Sequence, residues 1–152
     1  MYYGLINRQQ AIEIIDKVVE VIGGNHAVKC LLLETAMQET HCGEYRDPTP
    51  YAAGMGVGQC DQVPFYDVVA RTPSKYKELI SAEFGINLDD ARWRELELSP
   101  VLAFIIMRLH YRLIPEAVPD TVEGRAAYWK KYYNTELGKG TVEEYIENAG
   151  RL

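Results

Sequence analysis

The residues best able to do chemistry are gathered between Leu31 and Asp61, in the stretch LLLETAMQETHCGEYRDPTPYAAGMGVGQCD. An apolar run ends in Gln38-Glu39-Thr40. A loop with glycine and proline follows, and the chain returns through Gly54-Met55-Gly56-Val57-Gly58-Gln59-Cys60-Asp61. From His26 to Thr40 the apolar positions leave little polar surface, which reads as a mostly buried helix. At about 100° per residue, Glu39 shares a row with Leu32, Thr35 and Ala36, so it runs along an apolar face. It also stands at the helix C-terminus, where the negative end of the macrodipole opposes a carboxylate anion. Desolvation and dipole both push its pKa upward, as a general acid near neutral pH requires. A surface glutamate ending the helix before Gly43 is the plain alternative.

Other constellations carry less. Glu34 lies about 140° round the helix from Glu39, so the two cannot pair on one face, and Glu34 reads as a structural acid. Adjacent His41 and Cys42 cannot easily bring imidazole to thiol, and no second histidine is placed to help. Gly138-Lys139-Gly140-Thr141 lacks the earlier glycine and preceding strand of a phosphate loop, and reads as a helix cap. Three histidines and three cysteines show no metal spacing and no C-x-x-C pair. No metal and no cofactor is expected.

The motifs around Glu39 resemble the lysozyme-like superfamily, in particular goose-type lysozymes and lytic transglycosylases. In that family a catalytic Glu followed by Ser or Thr closes a buried helix, as Glu39-Thr40 does, and a G-x-G-L-M-Q-like segment follows. Gly54-Met55-Gly56-Val57-Gly58-Gln59 matches that segment, and LLLETAMQETHCG is similar to small phage-encoded members. Tyr133-Asn134-Thr135, followed by Gly138 to Thr141, is similar to the family's A-Y-N-A-G segment. Gly58 departs from the usual Met, and Thr135 from the Ala. The resemblance implies a glycosidase acting on the β-1,4 bond between N-acetylmuramic acid and N-acetylglucosamine in peptidoglycan. Glu39 would be the acid. Gly56, Val57, Gly58 and Gln59 would meet the sugar's acetamido group, and Tyr133 with Asn134 would orient Glu39 or line the cleft. Asp61 matches the Asp that follows this segment in goose-type lysozymes, where a second acid can activate water. A turn or helix-cap role serves Asp61 equally, and Asp47 is a second candidate in the loop. Transglycosylases need no such acid, because the sugar's own 6-hydroxyl attacks.

The elements that must hold these residues are helical. Asn7 with Gln10 resembles a capping box ahead of the stripe Ile12, Ile15, Val18, Val19 and Ile22. Gly23-Gly24 stops that helix and Asn25 can cap the catalytic one. A short helix is expected after Pro64. Thr72-Pro73 and Ser99-Pro100 each look like an N-cap followed by proline, opening helices to about Glu83 and over 101–113. Asp89 can cap a short helix holding Trp93 and Leu96. Asp120 and Glu123 bracket the start of a helix reaching Asn134, and Thr141 opens a last one that fades at Gly150. The expected fold class is all-α, mainly helical, a lysozyme-like arrangement with at most a small β-hairpin within 44–60. One domain, 1–152, is expected from the length.

Composition narrows the partners. A net charge of −6 argues against nucleic acid, which calls for clustered Lys and Arg. No signal peptide opens the sequence and no segment reaches the ~20 apolar residues of a membrane span, so no membrane insertion is expected. The reading is then a protein made in a host cytoplasm, delivered to the bacterial wall by a holin or a virion, with glycan strands as partner. The acidic charge and Gly58 motivate an alternative: a phage virion or tail protein that keeps the fold for glycan binding or assembly, without turnover.

Overall fold

Two asparagines start the first two helices. The Asn7 side chain accepts the Gln10 amide at 2.8 Å and opens α1 (Arg8–Ile22). Gln10 reciprocates from one residue further out, accepting the Ile6 amide at 2.7 Å. Asn25 accepts the Val28 amide at 3.1 Å and opens α2 (His26–Thr40), with the bounds that the apolar run indicates. The structure is a computed structural model and describes residues 1–46, 54–135 and 138–152.

Five further helices follow: α3 (Gln62–Ala70), α4 (Ser74–Phe84), α5 (Pro100–Arg112), α6 (Val122–Trp129) and α7 (Val142–Ala149). Short 3₁₀ turns cover Leu88–Asp90 and Trp93–Glu97, and a π-helical turn, Lys130–Asn134, continues α6. The expected hairpin is small. β1 (Gly54–Met55) pairs antiparallel with β2 (Cys60–Asp61), Gly54 opposite Asp61 and Met55 opposite Cys60. The fold is therefore mainly helical with one two-stranded hairpin among the described residues.

Two caps differ from the sequence reading. Thr72 does not cap α4. Its hydroxyl donates back to the Val68 carbonyl at 2.7 Å, it is buried, and Pro73 takes the cap position without a side-chain bond. Asp89 pairs with Lys77 at 2.6 Å, while Asn87 caps the 3₁₀ turn that contains it. Asn87 has the better geometry for its turn, while the Thr72 hydroxyl is already spent on the preceding helix. Thr121 caps α6 by accepting the Gly124 amide at 3.1 Å, within the bracket of Asp120 and Glu123. Ser99 and Thr141 cap α5 and α7 as expected.

Helix α2 is the axis of the core, with α1, α5, α6 and α7 packed round it. Leu31, Leu32, Ala36 and Met37 are buried against Phe104, Ile105, Trp129 and Tyr145. On α1 the buried row is Ala11, Ile15, Val18, Val19 and Ile22; Ile12 sits half-buried at its edge. Glu34 stands inside this core at 5% exposure and ties three helices together. Arg125 of α6 meets its carboxylate through two nitrogens, at 2.7 and 3.0 Å, and Tyr145 of α7 donates to it at 3.1 Å. A buried carboxylate with a forked guanidinium and a phenol has its lone pairs satisfied, so its place is architectural.

Candidate active site

The end of α2 is shaped to present Glu39. Thr40, the last residue of the helix, is buried and donates its hydroxyl to the Val57 carbonyl at 2.8 Å. That bond pins the hairpin loop to the helix end. His41 and Cys42 then turn the chain away with φ of 49° and 54°, a left-handed exit that non-glycine residues seldom take. The His41 ring packs on Tyr45, centroids 4.2 Å apart, and Cys42 is buried with its thiol pushed up to about 11 by burial. Neither is set up as a nucleophile.

Glu39 opens into a cleft of about 430 Å³, shared with Tyr45, Arg46, Gly54 and Gln59 on one side and Tyr133, Asn134 and Gly138 on the other. Asp61 lines the same cleft. The Glu39 carboxyl is half-buried, and desolvation raises its pKa from 4.5 to about 7. The indole of Trp129 donates to Oε1 at 3.1 Å and pulls the value back down, while the charge of Asp61 adds to the upward push. Asp61 itself is exposed, at the start of α3, and makes no capping bond there. Two carboxyl groups thus face one cleft from unlike environments, one desolvated and one wet. Asp47 lies outside the described residues.

The hairpin loop gives its carbonyls to the scaffold. The Gly56 carbonyl accepts the Gln59 amide and side chain at 3.0 and 2.9 Å. Val57 is buried, its carbonyl taken by Thr40, and the Gly58 carbonyl accepts the Tyr133 hydroxyl at 2.6 Å. Three successive carbonyls therefore serve the scaffold, and of Gly56 to Gln59 only Gln59 lines the cleft. Gly58 suits this packing. A Cβ there would come within 2.7 Å of Met107 and 2.9 Å of the Tyr133 hydroxyl. Met107 and Tyr133 fill the space that a side chain at position 58 would take.

No protein-family model, curated protein or solved structure matches this chain.

Tyr133 and Asn134 both reach the cleft, but Tyr133 bonds Gly58 and not Glu39. The residue that holds Glu39 is Trp129 of α6. Trp129 stands one helical turn before Tyr133, and that spacing was the available signal. The π-helical turn sets these positions: the Thr135 amide reaches back to the Lys130 carbonyl at 2.8 Å, five residues away. Lys130 in turn donates to Asn134 Oδ1, Gly138 O and Gly140 O at 2.7, 3.1 and 2.7 Å, fixing the far wall. Among the described residues, no group of three His, Cys, Asp or Glu is placed to hold a metal ion, and no disulfide forms. No helix among them is long and apolar enough to cross a membrane.

Proposed function

We propose that this chain is a peptidoglycan glycosidase of lysozyme-like type, cutting the β-1,4 bond between N-acetylmuramic acid and N-acetylglucosamine. The observation that carries the reading is Glu39, a carboxyl held near pKa 7 in a cleft that it shares with an exposed Asp61. At neutral pH a large fraction of Glu39 keeps its proton and can deliver it to the leaving glycosidic oxygen. Asp61, across the cleft, accepts a proton from water as that water attacks, which favours hydrolysis over formation of an anhydro end. Gln59, Tyr133 and Asn134 line the path of the sugar, and Tyr45 over His41 offers an aromatic face at the rim. Gly56, Val57 and Gly58 support that surface from behind. The resemblance of Glu39-Thr40 and of Gly54 to Gln59 to goose-type lysozymes and lytic transglycosylases points the same way. A phage source, and delivery to the wall through a holin or on a virion, follow from the same resemblance.

Digestion of purified peptidoglycan with mass analysis of the fragments tests the reading. Glu39→Gln is expected to lower cleavage by about 10²–10⁴-fold with the fold intact. Reducing muramic ends that Asp61→Asn suppresses are the expected product. Anhydro ends unaffected by Asp61→Asn would make the enzyme a transglycosylase. The second reading is a virion or tail protein that binds glycan without turnover, favoured by the inward carbonyls of Gly56 to Gly58 and the net charge of −6. Glycan binding with no fragments released by the wild-type protein would select it.

A further inference from the structure

Another cavity, of about 290 Å³, lies by the start of α2, some 20 Å along the helix from Glu39. Arg108 and Arg112 line it from successive turns of α5, so their guanidinium groups share one face. Two like charges in one half-buried place normally attract carboxylates. Among the described residues neither arginine has an ion-pair partner. Arg108 Nε donates to the Gly23 carbonyl at 2.7 Å, and the Arg112 guanidinium lies 4.8 Å over the Tyr76 ring. Both contacts hold the groups in place without neutralising them. Arg112 Nε is shut from solvent and has no hydrogen-bond partner, the only such buried side-chain atom among the described residues. Glu116 also lines the cavity, but it is exposed and its carboxylate pairs with neither arginine; its carbonyl accepts the Tyr128 hydroxyl at 2.9 Å.

Leaving two adjacent arginines unpaired on a chain of net charge −6 makes a local positive site that a forked oxyanion would satisfy. Burial and the charge of Arg112 both push Arg108 below its ordinary value, as expected of a pair that lacks an anion. Asn25 at the start of α2 borders the same space, so the positive end of that helix adds to the field. Val28, Ile114 and Val118 give the wall an apolar part beside the Tyr111 and Tyr128 rings. We infer that this cavity binds a small ligand presenting one oxyanion, carboxylate or phosphate, to Arg108 and Arg112 and an apolar body to Val28, Ile114 and Val118. The site is separate from the Glu39 cleft and does not depend on what that cleft cuts.

Calorimetric titration of the full chain with inorganic phosphate and with N-acetylalanine, against chloride at matched ionic strength, tests the inference. Saturable binding of at least one probe is expected, weakened tenfold or more by Arg112→Gln and less by Arg112→Lys, which keeps charge but loses the fork. Phosphate alone or N-acetylalanine alone binding identifies the oxyanion. Amide resonances of Gly24, Asn25 and Val118 in the wild-type protein are expected to shift on binding, a readout that stands even if a variant does not fold. No saturable binding beyond chloride, wild-type affinity in folded Arg112→Gln, or shifts confined elsewhere would overturn the assignment.

Discussion

At the scale of one residue, the raised carboxyl of Glu39 costs stability at neutral pH. Its carboxyl has an ordinary value of 4.5 and is raised to about 7 in the folded chain. Between those values the folded protein holds a proton that the unfolded chain has lost. Stability therefore falls as pH rises through that window, and the full penalty is present above about 7. The cleft admits water, so the penalty is on the order of 1–2 kcal/mol rather than the full value of the shift. Glu39→Gln keeps the shape and can still accept the Trp129 N–H through its amide oxygen. It is expected to be more stable than wild type at pH 8 by that amount and to show no advantage near pH 4. Urea unfolding at the two pH values measures the difference; an equal effect at both would mean that the carboxyl is freely hydrated. The upward push was legible beforehand, because an apolar helix row and a helix C-terminus are both written in the sequence. The indole that opposes it was not, because Trp129 is ninety residues away and only the packing of α6 on α2 brings it there.

At the scale of elements, the hairpin loop and the π-helical turn are built to meet. Tyr133 closes that contact through Gly58, so its hydroxyl acts on the cleft wall and not on the acid itself. Tyr133→Phe is expected to impair cleavage more than Tyr132→Phe, whose ring packs edge-on against Tyr128. The lost bond contributes about 1 kcal/mol. Equal small effects in a peptidoglycan assay would separate the loop from the activity. The Glu34 network is the other joint. Glu34→Gln leaves the Arg125 guanidinium without its anion inside the core and is expected to cost about 3–5 kcal/mol in chemical unfolding. The folded fraction should still cleave, since Glu34 lies on the far side of α2 from the cleft. Cleavage lost in step with Glu39→Gln would instead make Glu34 part of the reaction. Helix starts were readable where one side chain dominated, as at Asn25, Ser99 and Thr141. They were misread where two polar residues competed, as at Asp89 and Asn87. The π-helical turn had no local signal, because its widened backbone depends on Lys130 reaching Gly138 and Gly140.

At the scale of the whole molecule, the fold class follows from a sequence with six long apolar-striped or capped helical runs and one glycine-rich loop. The order in which those helices enclose α2 does not follow, since it rests on long-range contacts such as Arg125 to Glu34. Charge is the property that acts over this whole scale. At −6 the protein would be repelled by an anionic wall, and encounter with that proposed substrate would be slowed at low salt. The Debye length shrinks to about 10 Å at 0.1 M ionic strength, shorter than the molecule, so added salt removes most of that repulsion while leaving the cleft's own field intact. Cleavage of peptidoglycan is therefore expected to rise about two- to tenfold between 10 mM and 150 mM salt and then level off. A basic lytic enzyme would lose rate over the same range. Turbidity loss of a wall suspension at fixed pH measures it, with a short uncharged chitin oligosaccharide as the control that should not respond if cleaved. A rate that falls steadily with salt on peptidoglycan would mean that cations at the cleft, Arg46 first among them, outweigh the net charge in drawing the substrate in.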